Sequence, residues 1–168
     1  MIRLSKTAMV LAMALFSTLV AFGNLTDYAT NFAFVQHVFL MDTTFPGNSI
    51  MYRAITQEWV HHAAYLGIIA LEAATAVVCW VGGWQLWKAR RASSAAFRAA
   101  KTWAIAGLTL GFLTWQVVFM SIGGEWFGMW MSPKWNGVPS AFRFFVTMLL
   151  VLIYVSMHND ALTEDAQQ

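Results

Sequence analysis

The sequence predicts an all-α protein: a bundle of four membrane-spanning helices with an additional short interfacial helix in its first outer loop. Three observations carry that expectation. Hydrophobic residues make up 59% of the chain and charged residues 11%, against about 25% charged in a soluble domain. Long uncharged runs recur along the 168 residues. The third is AAYLGIIALEAATAVVCWVGGWQL, residues 63–86, 24 residues in which Glu72 is the only formally charged side chain. As a helix it covers roughly 36 Å, enough to cross a hydrocarbon core of about 30 Å. A carboxylate near its middle costs on the order of 2.5–3.5 kcal/mol to insert. It therefore calls for a partner, a proton or a task, and the other helices are weighed by what they bring to it.

The composition also excludes. A formal net charge of +2, with the ten Lys and Arg gathered mainly in short runs, leaves no face for nucleic acid. Cys79 is the single cysteine, which rules out a disulfide framework and makes it a small buried hydrophobe.

The first helix is expected over 7–23, after a start carrying Arg3 and Lys6. A basic start, a short apolar core and small residues at Ala21 and Gly23 also fit a cleavable signal peptide. The three spans that follow and the weak Ala-Phe-Gly site favour a retained helix, slightly short and accommodated by tilt or thinning. Residues 24–55 form the first part of an outer cap. Within it NFAFVQHVFLM, residues 31–41, is too short to span and too apolar for a free loop. That predicts an interfacial helix capped near Thr30 or Asn31. Phe45-Pro46-Gly47-Asn48 is a turn signal; Asn48 is placed to cap a short helix through Ala54, and Thr56 to cap the next.

The second span, 56–88, carries Trp80, Trp84 and Trp87 at its far interface. A polar connection over 88–101 leads to a third span at 102–122. The glycine- and tryptophan-rich segment 123–137 makes the second part of the cap. The fourth span, 138–157, opens with Pro139 in its first turn, and the acidic tail from His158 is expected to be mobile. Together these make one integral membrane domain over residues 1–168. Seven basic residues (Arg3, Lys6, Lys88, Arg90, Arg91, Arg98 and Lys101) fall at one end and three (Arg53, Lys134 and Arg143) at the other. The bias predicts a multi-pass protein of the bacterial inner membrane with both termini cytoplasmic.

On the second span Glu58, His62, Tyr65, Ile69, Glu72 and Ala76 share one face, with His61 and Thr75 beside them. Packing against neighbouring helices, with hydrogen bonds across the bundle, accounts for such a face. So does a polar pocket opening outward with Glu72 as its floor. By depth along each helix, Gln116, Ser17 and Arg143 join Glu72 in one candidate polar belt, with Tyr65 and His62 above it. Asp42, Arg53, Glu125, Trp126, Trp130 and Trp135 are the candidate residues of the outer cap. There the tryptophans read as an interfacial belt or a surface for lipid, quinone or another hydrophobic ligand, and Glu125 faces Arg143 as a possible ion pair. Haem in a bundle needs two histidines at matching depth. Only His37 with His61 or His62 meets that condition, and no HExxH or cysteine-pair spacing is present.

Two outer stretches carry a resemblance. NFAFVQHVFLMDTTFP (residues 31–46) with MYRAI (51–55), and GGEWFGMWMSPKWNG (123–137) leading into AFRF, resemble the bacterial predicted small integral membrane proteins of domain of unknown function family 2165. The resemblance covers nearly the whole chain and is most specific in the tryptophan-rich loop. It implies four helices in the inner membrane with the first retained. It also places Met41-Asp42, Phe45-Pro46, Arg53, Glu72 and Gly124-Glu125-Trp126 at motif positions, with Gln57 where a proline is expected. No activity comes with it. The expected function is that of a non-enzymatic accessory or scaffold subunit, with no cofactor, binding a partner protein, a second copy or lipid through the outer aromatic cap. The alternatives are a small proton-coupled carrier using Glu72 and a redox anchor holding haem or quinone.

Overall fold

The computed structural model describes residues 1–160 of the chain. Helix α1 spans Ile2–Thr26, α2 Tyr28–Leu40, α3 Glu58–Ala89, α4 Ser94–Ala99, α5 Thr102–Leu113 and α6 Val138–Ser156. The α5 helix continues without a break into a π-helical segment, Thr114–Trp126, and single turns of 3-10 helix lie at Met51–Arg53 and Met129–Met131. Four helical stretches are long and apolar enough to cross a membrane: Ile2–Thr26, Glu58–Ala89, Ser94–Trp126 and Val138–Ser156. The α2 helix is the shorter additional one. The fold is therefore all-α, as the hydropathy pattern predicts.

The α3 helix is central, lying against α1 on one side and α5 on the other, and α6 closes the bundle against α5 and the π segment. Side-chain pairs set α1 and α3 antiparallel: Asn24 meets Glu72, and the Trp80 indole donates to the Thr18 hydroxyl at 3.0 Å. Glycines let α3 and α5 approach closely. A Cβ at Gly82 would overlap the backbone of Ala104, and one at Gly107 would lie 2.7 Å from the Cys79 sulfur. Such small-residue contacts supply van der Waals packing between helices where hydrocarbon outside is as apolar as the interior. Val10, Ala14, Cys79, Leu86, Leu108, Trp115 and Met148 fill the core around them.

The cap is built by α2 and the loop 127–137. Asp27 alone separates α1 from α2, which begins at Tyr28 rather than near Asn31 and ends at Met41 in a left-handed conformation. Val35 packs on Tyr65 and Ile69 of α3, while Val38 and Met41 pack on Phe127 and Met129. Asn48 does not cap the short helix, whose N-cap position is Ile50 with no side-chain cap; its Oδ1 instead accepts the Ile50 N–H at 3.1 Å in the turn before it. Nor does Thr56 cap the next: α3 starts at Glu58 with Gln57 at its N-cap position. The third span runs on through Gly123 and Glu125 to Trp126, so the cap's second segment is shorter than composition suggests. The connection 88–101 contains α4.

The largest departure is at the other end. The first helix starts at Ile2 rather than residue 7 because Arg3 and Lys6 turn inward. Lys6 and Lys101 bind the two carboxylate oxygens of Asp160 at 2.8 and 2.5 Å. Both also donate to the Met157 carbonyl, and Arg3 donates to the Asp160 carbonyl at 2.7 Å and the Ala92 carbonyl at 2.5 Å. All four residues are buried. The tail expected to be mobile from His158 is thus anchored as far as Asp160, and its remainder, 161–168, lies outside the described residues.

Burial by itself would raise the Asp160 carboxyl's pKa, but the hydrogen bonds from Lys101 and Lys6 outweigh it and hold it below the usual range. A depressed carboxyl stabilises the fold above its unfolded pKa of about 3.9, and that stability is lost as the pH falls through the folded value. Asp160→Asn is expected to cost about 3–5 kcal/mol, since it strands buried cations. The thermal midpoint of the wild type should fall toward that of the variant as the pH drops below about 4. Gly82→Ala should destabilise by about 1–3 kcal/mol, whereas Gly67→Ala, whose Cβ meets nothing within 4 Å, should leave the midpoint within a degree or two of the wild type.

Candidate functional site

An α-helix ends with four carbonyls that lack intrahelical partners. In α1 the Asp27 N–H still closes on the Gly23 carbonyl at 2.9 Å, so the carbonyls without such partners begin at Asn24, beside the middle of α3. The Tyr65 hydroxyl takes one of them, donating to the Asn24 carbonyl at 2.9 Å. The Asn24 side chain then donates from Nδ2 to Glu72 Oε2 at 2.7 Å. Glu72 is 1% exposed, and its other oxygen, Oε1, has no hydrogen-bond partner among the described residues. The end of α1 and the middle of α3 are tied through these three side chains.

Glu72 lines a cavity of about 290 Å³ under the cap. Asn24, Asn31, Tyr65, Asn136 and Ser140 give it further polar groups, and Phe34, Trp115, Phe119 and Phe144 form aromatic walls. An apolar cavity of about 160 Å³ adjoins it through the shared residues Phe34, Val35, Ile68 and Phe119. The site accordingly offers one carboxylate acceptor and several amide and hydroxyl groups in an apolar surround. That chemistry holds a polar group that donates hydrogen bonds.

Of the residues expected in the polar belt, Glu72 and Tyr65 meet at this cavity. Ser17 is fully buried, with its hydroxyl unpartnered among the described residues. Gln116 lies in the π segment and is half-buried; its side chain makes no hydrogen bond among the described residues, its backbone carbonyl accepts from the Ser121 hydroxyl at 3.1 Å, and the neighbouring Trp115 lines the cavity. Arg143 is exposed and donates to the Ser140 hydroxyl at 3.0 Å. His62 is outside the cavity lining, its Nδ1 at 2.7 Å from the Tyr28 hydroxyl and its ring stacked on Phe32. The four belt residues therefore share no hydrogen-bonded network. Glu72 is met by Asn24, a residue that the sequence pattern assigns to the cap because it stands just past the first hydrophobic run. Asn31 is expected only as a helix cap, and Asn136 and Ser140 are short polar residues with no spacing signal.

The cap residues are engaged with one another. Asp42 holds His37 at 2.7 Å, and that imidazole stacks on Trp135 with ring centres 4.7 Å apart. Arg53 donates to the Trp126 carbonyl at 3.1 Å and lies over the Trp126 ring. Phe45 meets Trp130 edge to face, and the Thr43 and Ser132 hydroxyls pair at 2.7 Å. The expected Glu125–Arg143 ion pair is not formed: Glu125 stays in the helix and is exposed, and Arg143 turns to Ser140. His37, His61 and His62 each have one ring nitrogen engaged, and the Nδ1 of His61 is buried without a partner among the described residues. His61 Nε2 contacts the Ile55 carbonyl at 2.7 Å, His62 contacts Tyr28, and His37 contacts Asp42. Among the described residues no three of His, Cys, Asp and Glu are grouped to hold a metal ion.

The chain matches the family described as "Predicted small integral membrane protein (DUF2165)" over residues 2–158. Comparison with the curated proteins and with the solved structures gives no match.

Removal of Asn24 from the junction is expected to be costly. Asn24→Ala should lower stability by about 1–3 kcal/mol, and Tyr65→Phe by about 0.5–1.5 kcal/mol. If Asn24 and Glu72 act as a pair, Asn24→Ala and Glu72→Gln combined should fall short of the sum of their separate effects in a double-mutant cycle of thermal unfolding.

Proposed function

We propose, since the chain belongs to the family of predicted small integral membrane proteins known as domain of unknown function 2165, that it is a non-enzymatic membrane protein. Its task is to bind a small ligand in the cavity at Glu72. The observation that supports this reading is a buried carboxylate with one oxygen engaged by Asn24 and the other unpartnered, lining a space of about 290 Å³. An acid in hydrocarbon is retained where it serves a task, and this one faces room for a ligand rather than a second protein side chain. In this reading the cap is a roof, since Asn31, Phe34, Asn136 and Gly137 all line the same space.

A second role for the cap rests on a separate observation. Tyr52 and Trp59 are 76% and 73% exposed, and Trp126 and Trp130 are about half exposed, which suits headgroups or a partner subunit at the outer surface. We place that surface outside a bacterial inner membrane, because the basic residues concentrate at the opposite end, where Arg3 and Asp160 bring residues near both chain ends together.

Thermal unfolding in detergent tests the cavity reading. Hexylamine should raise the midpoint of the wild type in a concentration-dependent way, because a ligand that binds only the folded state stabilises it by mass action. Hexanoate should not, and Glu72→Gln should abolish the amine's effect. Equal shifts with amine and carboxylate, or an amine shift that survives Glu72→Gln, would refute the proposed site.

A further inference from the structure

The Glu72 cavity lies on a seam between α1 and α6. On α6, Ser140, Arg143, Phe144 and Thr147 recur three and four residues apart and so lie along one stripe. Ser140 and Phe144 line the cavity that holds Glu72. Arg143, Phe144 and Thr147, with Met13 and Phe16 of α1, line a second cleft of about 360 Å³. Phe144 belongs to both, and the hydrogen bond from Arg143 to Ser140 bridges them. Two opposite charges thus stand along one seam. One is a buried acid with an unpartnered oxygen. The other is an exposed arginine in the opening turns of a span, which makes no ion pair among the described residues. A long cationic side chain at that level reaches the headgroup layer.

We propose that this seam binds one aminophospholipid, with its phosphate on Arg143, its primary ammonium at Glu72 Oε1 and its acyl chains along the cleft beside Met13 and Thr147. The proposal rests on the binding role given to the Glu72 cavity and names the class of its ligand. A guanidinium fork matches the paired oxygens of a phosphate diester. The ammonium, joined to that phosphate through a short carbon linker, supplies N–H donors to the carboxylate oxygen that Asn24 leaves free. A choline headgroup has no N–H to give, and a glycerol headgroup brings hydroxyls without the positive charge. A water-soluble amine would leave Arg143 and the apolar cleft unused.

Lipid exchange on the full-length, detergent-purified protein tests this. The probe is vesicles of equal parts phosphatidylethanolamine, phosphatidylcholine and phosphatidylglycerol, and retained lipid is read by native mass spectrometry. The wild type should retain phosphatidylethanolamine about tenfold over phosphatidylcholine. Arg143→Gln, at an exposed position, should lower retention of phosphatidylethanolamine and phosphatidylglycerol alike. Glu72→Gln should leave total bound phospholipid unchanged and remove the preference for the amine, and Ser140→Trp, which narrows the passage between cleft and cavity, should do the same. Equal retention of the three lipids by the wild type overturns the proposal, as does a preference that survives both Arg143→Gln and Glu72→Gln. If hexylamine still stabilises the wild type through Glu72 while no lipid is preferred, the lipid assignment fails and the cavity reading stands; loss of both removes the two together.

Discussion

A carboxyl group taken out of water inside an apolar bundle must be given hydrogen-bond donors, and here they come from the place where a helix runs out of its own. The Glu72 side chain is held by Asn24, whose backbone carbonyl is in turn held by Tyr65. That junction requires α1 to stop beside the middle of α3, and it leaves the outer half of α3 without α1 as a neighbour. The α2 helix fills the vacated place, turning back after the single residue Asp27 and setting Val35 on Tyr65 and Ile69. The cap is therefore a consequence of where α1 ends. The cavity is the space left between that cap and the helices below it.

The two ends of the bundle solve opposite electrostatic problems. At the cap end, one acid is surrounded by neutral amides and hydroxyls, which solvate it weakly and leave one oxygen free. At the other end, Lys6 and Lys101 share the Asp160 carboxylate and the Met157 carbonyl, while Arg3 is held by the backbone carbonyls of Ala92 and Asp160. Buried charges that are fully paired specify an arrangement more than they add stability. The inner cluster is consistent with that: Asp160 and the carbonyls engage Lys6 and Lys101, and the connection through α4 is held against α1. Cations that all meet acceptors at one end, and an acceptor left free at the other, separate a structural cluster from a binding one.

Length and hydropathy are local properties, so the four spans and the short interfacial helix were legible, and Glu72 stood out because its cost is local too. The partners were not. Asn24 is an uncharged residue at the edge of an apolar run, and its meeting with Glu72 depends on the antiparallel register of two helices far apart in sequence. Arg3, Lys6 and Lys101 counted toward orientation as free charges, because a tally of basic residues does not reveal that an aspartate returns from the chain's far end. The π segment misled in a different way. Depth places Gln116 in the belt without saying which way its side chain points, and Trp115 lines the cavity instead; the π segment then carries the helix on through Gly123 and Gly124, which composition marks as loop. Arg143 was legible as a polar residue inside a span, but not its turn toward Ser140.

The inner charge cluster also orders events during synthesis. Arg3 and Lys6 precede Asp160 by more than 150 residues, so while the intervening spans are made those two cations lack this carboxylate. They remain available to anionic headgroups throughout insertion and are withdrawn only when translation has passed the last span. Closure of this cluster therefore waits for a residue that follows the fourth span, however early the first helix is inserted.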